Sequence, residues 1–342
     1  MNKSNCLREY IKNSELRIFS DKIKVRLSSE LAQKYDQGVY QNYLIRLQKE
    51  LEQLEQLQIK YSSNANPILY VYIVPDNNFP ELLQVPAIFA KNKKGCGKPV
   101  VCYDLDGFNL AFGLSQNLVE NKKIENITIE KLENELHELS HIILGQFMTG
   151  NQVISEGVVE TLPLYGLNLE TDYLEHQELL LNLEITQIYS IKELIEKSRD
   201  RTYGDDALLP NKSCSFRLSY MSSYLFIRGL IETISEKYNS SKKETIQYFL
   251  ETLRQCSSSY NNEFLIKEIA NTLELSQEEL LTGKSIQEKA LNSILQFSNY
   301  KGNKKILKKT KNAKVKCKGV DGVISKTKNI LTIMIKNGEL PT

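Results

Sequence analysis

The apolar positions near the start of the chain sit close to alternation. In ELRIFSDKIKVRL, residues Leu16, Ile18, Ile23, Val25 and Leu27 have the spacing of a strand or a hairpin. From about Tyr40 to Lys60 the period lengthens. Leu44, Leu47, Leu51 and Leu54 recur every three or four residues with Lys and Glu between them, which predicts an amphipathic helix. Two to three heptads are too short a run to favour a coiled coil, so the helix is expected to pack on its own domain. PILYVYIVPD is an apolar, β-branched run closed by Pro75 and Asp76. With KPVVCYDLDG and NLAFGLSQ it predicts a small sheet over residues 67–117.

Beyond Asn126 the pattern is helical, with helices predicted at about 128–145, 152–162, 172–198, 216–238, 241–257, 263–273 and 285–298. Ser276 with Glu279, and Ser285 with Glu288, have the S-x-x-E form of capping boxes. Strands first and helices afterwards give an α+β class, rich in helix, with a small N-terminal mixed sheet. No internal repeat interrupts this layout.

Composition narrows the picture. A chain of 342 residues with 41% apolar and 25% charged residues has the make-up of a globular protein of one large domain or one domain with appendages. The net charge of +2 hides a split: residues 301–342 hold 12 Lys against Asp321 and Glu339, leaving the preceding part with 32 basic and 40 acidic groups. No stretch of 18 apolar residues occurs and the opening MNKSNCLREYIKNSELR lacks an apolar run, so a cytoplasmic protein that does not enter the membrane is expected. Six Cys are scattered without a C-x-x-C pair, which fits free thiols in a reducing compartment. There is no Trp, and there are only three His, of which two stand four residues apart.

Those two belong to NELHELSHIILGQ, where His137, Glu138 and His141 form H-E-x-x-H. Residues four apart on a helix lie on one face about a turn apart, so both imidazoles can bind one metal ion with Glu138 beside them. Thr128 as N-cap, Glu130 in the first turn and Gly145 at the end support the helix. Leu132, Leu136, Leu139 and Ile143 form an apolar stripe away from the histidines. A catalytic zinc ion wants three protein ligands and one open position. ISEGVVE supplies Glu156 as the third, with 14 residues between it and His141. Glu160 stands one turn further on, where it can accept the ring N–H of a ligating histidine and so hold that ring's tautomer and orientation.

HELSH followed by SEGVVE resembles the gluzincin metallopeptidases, the superfamily of thermolysin and the zinc aminopeptidases, in which H-E-x-x-H and a downstream E-G-x-x-E type motif hold the metal. The resemblance implies a thermolysin-like catalytic domain over residues 67–300, a strand and helical segment at 1–66 packed on it, and a Lys-rich tail at 301–342. It also implies one zinc ion, a peptide or protein substrate, and a tyrosine in the helical lobe. LSYMSSYLFIRGLIETISEKY offers Tyr220, with Ser223 where a small residue is expected, and Tyr224 one turn on as the fallback. Zinc aminopeptidases further carry a G-x-M-E-N type edge segment before the zinc helix. Gly113, Gln116 and Asn117 of GLSQN occupy a comparable place, with Gln116 where that family has a Glu that binds the substrate amino terminus. A neutral amide binds an ammonium group more weakly than a carboxylate does, so endo- and aminopeptidase action both stay open.

In the mechanism this implies, zinc lowers the pKa of its water to about 7 and stabilises the oxyanion, while Glu138 takes the proton and returns it to the leaving amine. Tyr220 adds a hydrogen bond to the oxyanion. Two other readings remain: a gluzincin hydrolase acting on something other than a peptide bond, and an interaction protein with a retained zinc site. In the second, KKILKKTKNAKVKCK would bind nucleic acid or another polyanion by charge. His176 has no partner motif and is expected to be an ordinary helix residue.

Overall fold

The computed structural model describes residues 10, 12–57, 68–76, 100–103, 110–120, 135–142, 152–167, 188–200, 202–203, 218–256 and 262–301. The chain divides into two compact units, Met1–Thr149 and Gly150–Thr342.

In the first unit, β1 (Glu15–Ile18) and β2 (Ile23–Leu27) form an antiparallel hairpin, one of the two arrangements the alternation left open. Its turn is closed by Phe19 N–H donating to Ile23 O at 3.0 Å, and the Ser20 hydroxyl accepts from the backbone of Lys22 and Ile23. Two helices follow, α1 (Ser29–Asp36) and α2 (Gln41–Leu57). The pattern did not single out α1, although Ser28 caps it by accepting from Leu31 N–H. These helices supply the crossover that a parallel pairing requires, and β3 (Leu69–Val74) duly lies parallel to β2. On α2 the predicted stripe of Leu44, Leu47, Leu51 and Leu54 is buried, together with Tyr43 and Glu50.

β4 (Val100–Tyr103) and β5 (Leu110–Ser115) complete a five-stranded mixed sheet in the order β1-β2-β3-β5-β4. Every described residue of β3 except Tyr70 is buried, as the middle strand of the sheet should be. A short helix, α3 (Gln116–Glu120), leaves the end of β5. Residues 135–142 form a further helical stretch, α4, whose flanks, including Thr128, Leu132, Ile143 and Gly145, lie outside the described residues.

The second unit is helical. Its described elements are α5 (Gln152–Thr161), a π-helical turn at Leu162–Gly166, α6 (Ile191–Arg199), α7 (Leu218–Tyr238), α8 (Lys242–Cys256), α9 (Asn262–Leu273), α10 (Gln277–Thr282) and α11 (Lys284–Lys301). Pro163, in the first turn of this π segment, has no N–H to continue the α-helical ladder, and Leu167 N–H donates five residues back to Leu162 O.

α7 is the core of this unit, buried almost all round and packed against α5 and α11. Small residues allow that. Ser219, Ser222 and Ser223 have no exposed surface, and a Cβ on Gly229 would stand 2.1 Å from the carbonyl oxygen of Ile286. Buried Arg228 is held by Glu232 and by the carbonyl of Ala290, with its guanidinium over the Tyr165 ring. Together the units give the expected helix-rich α+β class with a small N-terminal mixed sheet.

Two helix expectations are corrected. Residues 188–190 are not helical, so no single helix runs through 172–198. α6 starts at Ile191 and is capped by Ser190, which forms a full capping box with Glu193, an S-x-x-E signal present in the sequence. Residues 172–187, including His176, lie outside the described residues. Ser285 does not cap a helix: α11 already begins at Lys284, and the Ser285 hydroxyl donates instead to Glu279. The Ser276 cap is present and opens α10, which the pattern had not marked as a helix.

Candidate metal centre

α4 has two distinct sides. Glu135, Leu136, Leu139 and Ser140 are fully buried, whereas His137, Glu138 and His141 are half-buried. The helix is therefore anchored by one side and presents its imidazoles on the other, as the apolar stripe predicted. The Ser140 hydroxyl donates back to Leu136 O at 2.7 Å, which satisfies it within its own helix.

The two rings stand edge to face, with centroids 4.9 Å apart and planes at 78°, and their Nε2 atoms are separated by 3.2 Å. Two ligands at about 2.05 Å from a tetrahedral zinc ion are about 3.3 Å apart, so the pair suits a shared ion. One ring donating to the other would give a similar distance. With Glu156, the pair forms a group that could hold a metal ion: each residue offers one ligand atom, and these atoms all lie within 4.8 Å of one another.

Glu156 is carried by α5, where its neighbour Gly157 sets the position. A Cβ on Gly157 would lie 2.6 Å from Ile227 Cγ1 and 2.7 Å from Ser223 O, so α5 rests directly on the main chain of α7. This accounts for the glycine of E-G-x-x-E and for the small residue at 223. Glu160, one turn after Glu156, is buried, and Thr161 donates its hydroxyl to Gly157 O at 2.6 Å.

Tyr220 on α7 is half-buried, while Tyr224 is 1% exposed and belongs to the core. A second tyrosine, Tyr203, which carries no motif in the sequence, stands next to Tyr220. The ring of Tyr203 lies 5.3 Å from that of Tyr220, and its hydroxyl is 2.7 Å from the Ser223 hydroxyl. Burial pushes the Tyr203 hydroxyl well above the usual tyrosine range, and the charge of Glu156 pushes the same way. Tyr203 therefore stays a neutral phenol. No motif surrounds it in the sequence, so only the folded chain reveals it.

The segment around Gly113 differs from expectation. β5 is an interior strand: Gly113 is paired with Tyr72 of β3 on one side and with Val100 of β4 on the other. It is not an edge strand, and its backbone is already committed to two neighbours, so an extended substrate cannot add there. Gln116 and Asn117 open α3. The Gln116 amide donates to Glu120 at 2.8 Å, and the Asn117 N–H donates to the Asp76 carboxylate at 3.1 Å.

Residues 302–342, the greater part of the Lys-rich tail, lie outside the described residues. Among the described residues, no helix is long and apolar enough to cross a membrane. No protein-family model matches the chain, and no curated protein matches it.

Proposed function

We propose that this chain is a zinc-dependent metallopeptidase of gluzincin type, in which His137, His141 and Glu156 ligate one zinc ion and Glu138 is the general base. The observation that carries the reading is the His-His-Glu group itself, together with a glutamate adjacent to the first histidine on the same helix. Two imidazoles and one carboxylate are the donor set of a catalytic zinc site, which keeps a position open for water. A site that only held the fold together would have no use for Glu138.

Zinc bound there would supply Lewis acidity, making the water more acidic and polarising the scissile carbonyl. The chain's own groups do the rest. Glu138, half-buried beside the ligands, accepts the proton of the attacking water and returns it to the leaving amine. Tyr220 donates a hydrogen bond to the oxygen on which negative charge develops. Glu160 accepts a ring N–H from a ligating histidine and keeps the other ring nitrogen available to the metal. The substrate is a peptide or protein, and a cytoplasmic setting accords with the scattered cysteines.

The test is zinc content by mass spectrometry on wild type and Glu138→Gln, combined with digestion of a peptide library by both. One zinc per chain is expected in each, with cleavage by the wild type only and a loss in rate of about 10²-fold or more in the variant. Absence of zinc from the wild type, or normal turnover by Glu138→Gln, would refute the reading.

A further inference from the structure

Glu135 lies two residues before His137 and is entirely buried, an unusual place for a carboxylate. Both of its oxygens are engaged by α2. The Tyr43 hydroxyl donates to Oε1 at 3.0 Å, and Arg46 Nη2 donates to Oε2 at 2.5 Å. Arg46 also reaches Glu50 Oε1 from its Nε at 3.1 Å, and its guanidinium lies over the Tyr43 ring at 4.6 Å. Arg46 has 12% of its side chain exposed and Glu50 4%, so two carboxylates share one guanidinium almost out of water. Burial, followed by the charges of Glu135 and Glu50, drives the Tyr43 hydroxyl well above its ordinary pKa, so it remains a donor.

From this network we infer that Tyr43, Arg46 and Glu135 are positioning residues for the metal centre, setting the rotation of α4 and thereby the direction of the two imidazoles. The inference rests on the zinc reading above. Stability alone does not explain such a network, because well-packed apolar residues serve a core as well as a buried ion pair or better. What an ion pair adds is direction.

Tyr43 and Arg46 are three residues apart on α2 and grip the two oxygens separately, which fixes the carboxylate against both sliding and turning. A helix turns about 100° per residue, so Glu135 points well away from His137 and His141 and the metal-binding face is left clear. The leverage is large. A side-chain tip about 5–6 Å from the helix axis moves by about 1 Å when the helix rolls by about 10°, and a metal site tolerates about 0.5 Å.

The experiment compares wild type, Glu135→Gln and Tyr43→Phe by two measurements: thermal melting of the zinc-free protein, and zinc Kd by competition with a chromophoric chelator. Loss of stability alone leaves the Kd of a still-folded protein unchanged. A positioning role raises it, by about tenfold or more in Glu135→Gln and by a smaller factor in Tyr43→Phe. A folded Glu135→Gln with the wild-type Kd overturns the inference. If that variant does not fold, a folded Tyr43→Phe with the wild-type Kd does so. The wild-type arm reports separately on the metal reading: wild type that binds no zinc removes that reading and this inference with it, whereas tight wild-type binding with unchanged variants removes this inference alone.

Discussion

Replacing Gly157 by alanine adds one methyl group, and two opposing effects decide the outcome. In an exposed helix the change would stabilise the chain by about 1 kcal/mol, because alanine is the better helix former. Here the new Cβ meets Ser223 O at 2.7 Å, Ser223 C at 3.0 Å and Ile227 Cγ1 at 2.6 Å. The Ile227 side chain can turn aside, but a main-chain carbonyl in the middle of α7 cannot. An ordinary carbon-to-oxygen contact is about 3.3–3.6 Å, so α5 must retreat by about 0.6 Å or more. Overpacking of this kind costs about 1–3 kcal/mol, and a backbone obstacle belongs in the upper part of that range. The net expectation is a destabilisation of about 1–2 kcal/mol, or a fall of roughly 2–8 °C in the melting temperature of a unit this size. Glu156 is the adjacent residue and moves with the helix, so zinc affinity should fall as well. Differential scanning calorimetry of the zinc-free protein and chelator competition for zinc would measure the two effects. A Gly157→Ala protein that melts higher than wild type, with unchanged zinc affinity, would show that α5 does not rest on α7 as described.

Tyr220→Phe should lower kcat by about 10²-fold while zinc stays bound, because it removes a hydrogen bond made to the developing oxyanion. Tyr224→Phe, altered in the core, should leave kcat near the wild-type value; peptide-cleavage assays that gave the reverse order would move the role to Tyr224. Alkaline pH should destabilise the fold. Burial raises Tyr10 to about 12 and Tyr43 and Tyr203 well above their ordinary value, so between pH 10 and those higher values the folded chain keeps protons that the unfolded chain has released. Stability is then retained below about pH 10 and falls as pH rises beyond it; a urea midpoint that stays flat from pH 9 to pH 11 would contradict this.

Much of the architecture was readable because it depends on local periodicity. The alternation of Leu16, Ile18, Ile23, Val25 and Leu27 marks β1 and β2, and the three-to-four spacing of Leu44, Leu47, Leu51 and Leu54 marks α2. The candidate metal-binding pair His137 and His141 was readable for the same reason, since H-E-x-x-H only has to lie on a helix to bring its side chains together. What stayed hidden depends on pairing between distant parts of the chain. Strand order is one case: nothing within NLAFGLSQ tells whether β5 lies at an edge or inside the sheet, and the interior position is what commits the Gly113 backbone. The break at Ser190 is different, because its S-x-x-E signal was present and lay under an apparently continuous helical period.

The same distinction separates the residues that do the proposed chemistry from those that hold them. His137, Glu138, His141 and Glu156 announce themselves by type and spacing. Their supports do not: Arg46 sits between Leu44 and Leu47 like any charged residue of an amphipathic helix, and its partner Glu135 is 89 residues away. Gly157 is the one support with a local signature, because it lies inside the motif. Its reason is still non-local, for it is the main chain of Ser223 that a side chain at this position would strike. A short motif thus names the proposed ligands, whereas their placement depends on long-range packing that no local pattern carries. Substitutions at Arg46, Glu135 and Gly157 accordingly test the centre more sharply than further changes to the ligands, whose loss would abolish binding whatever held them.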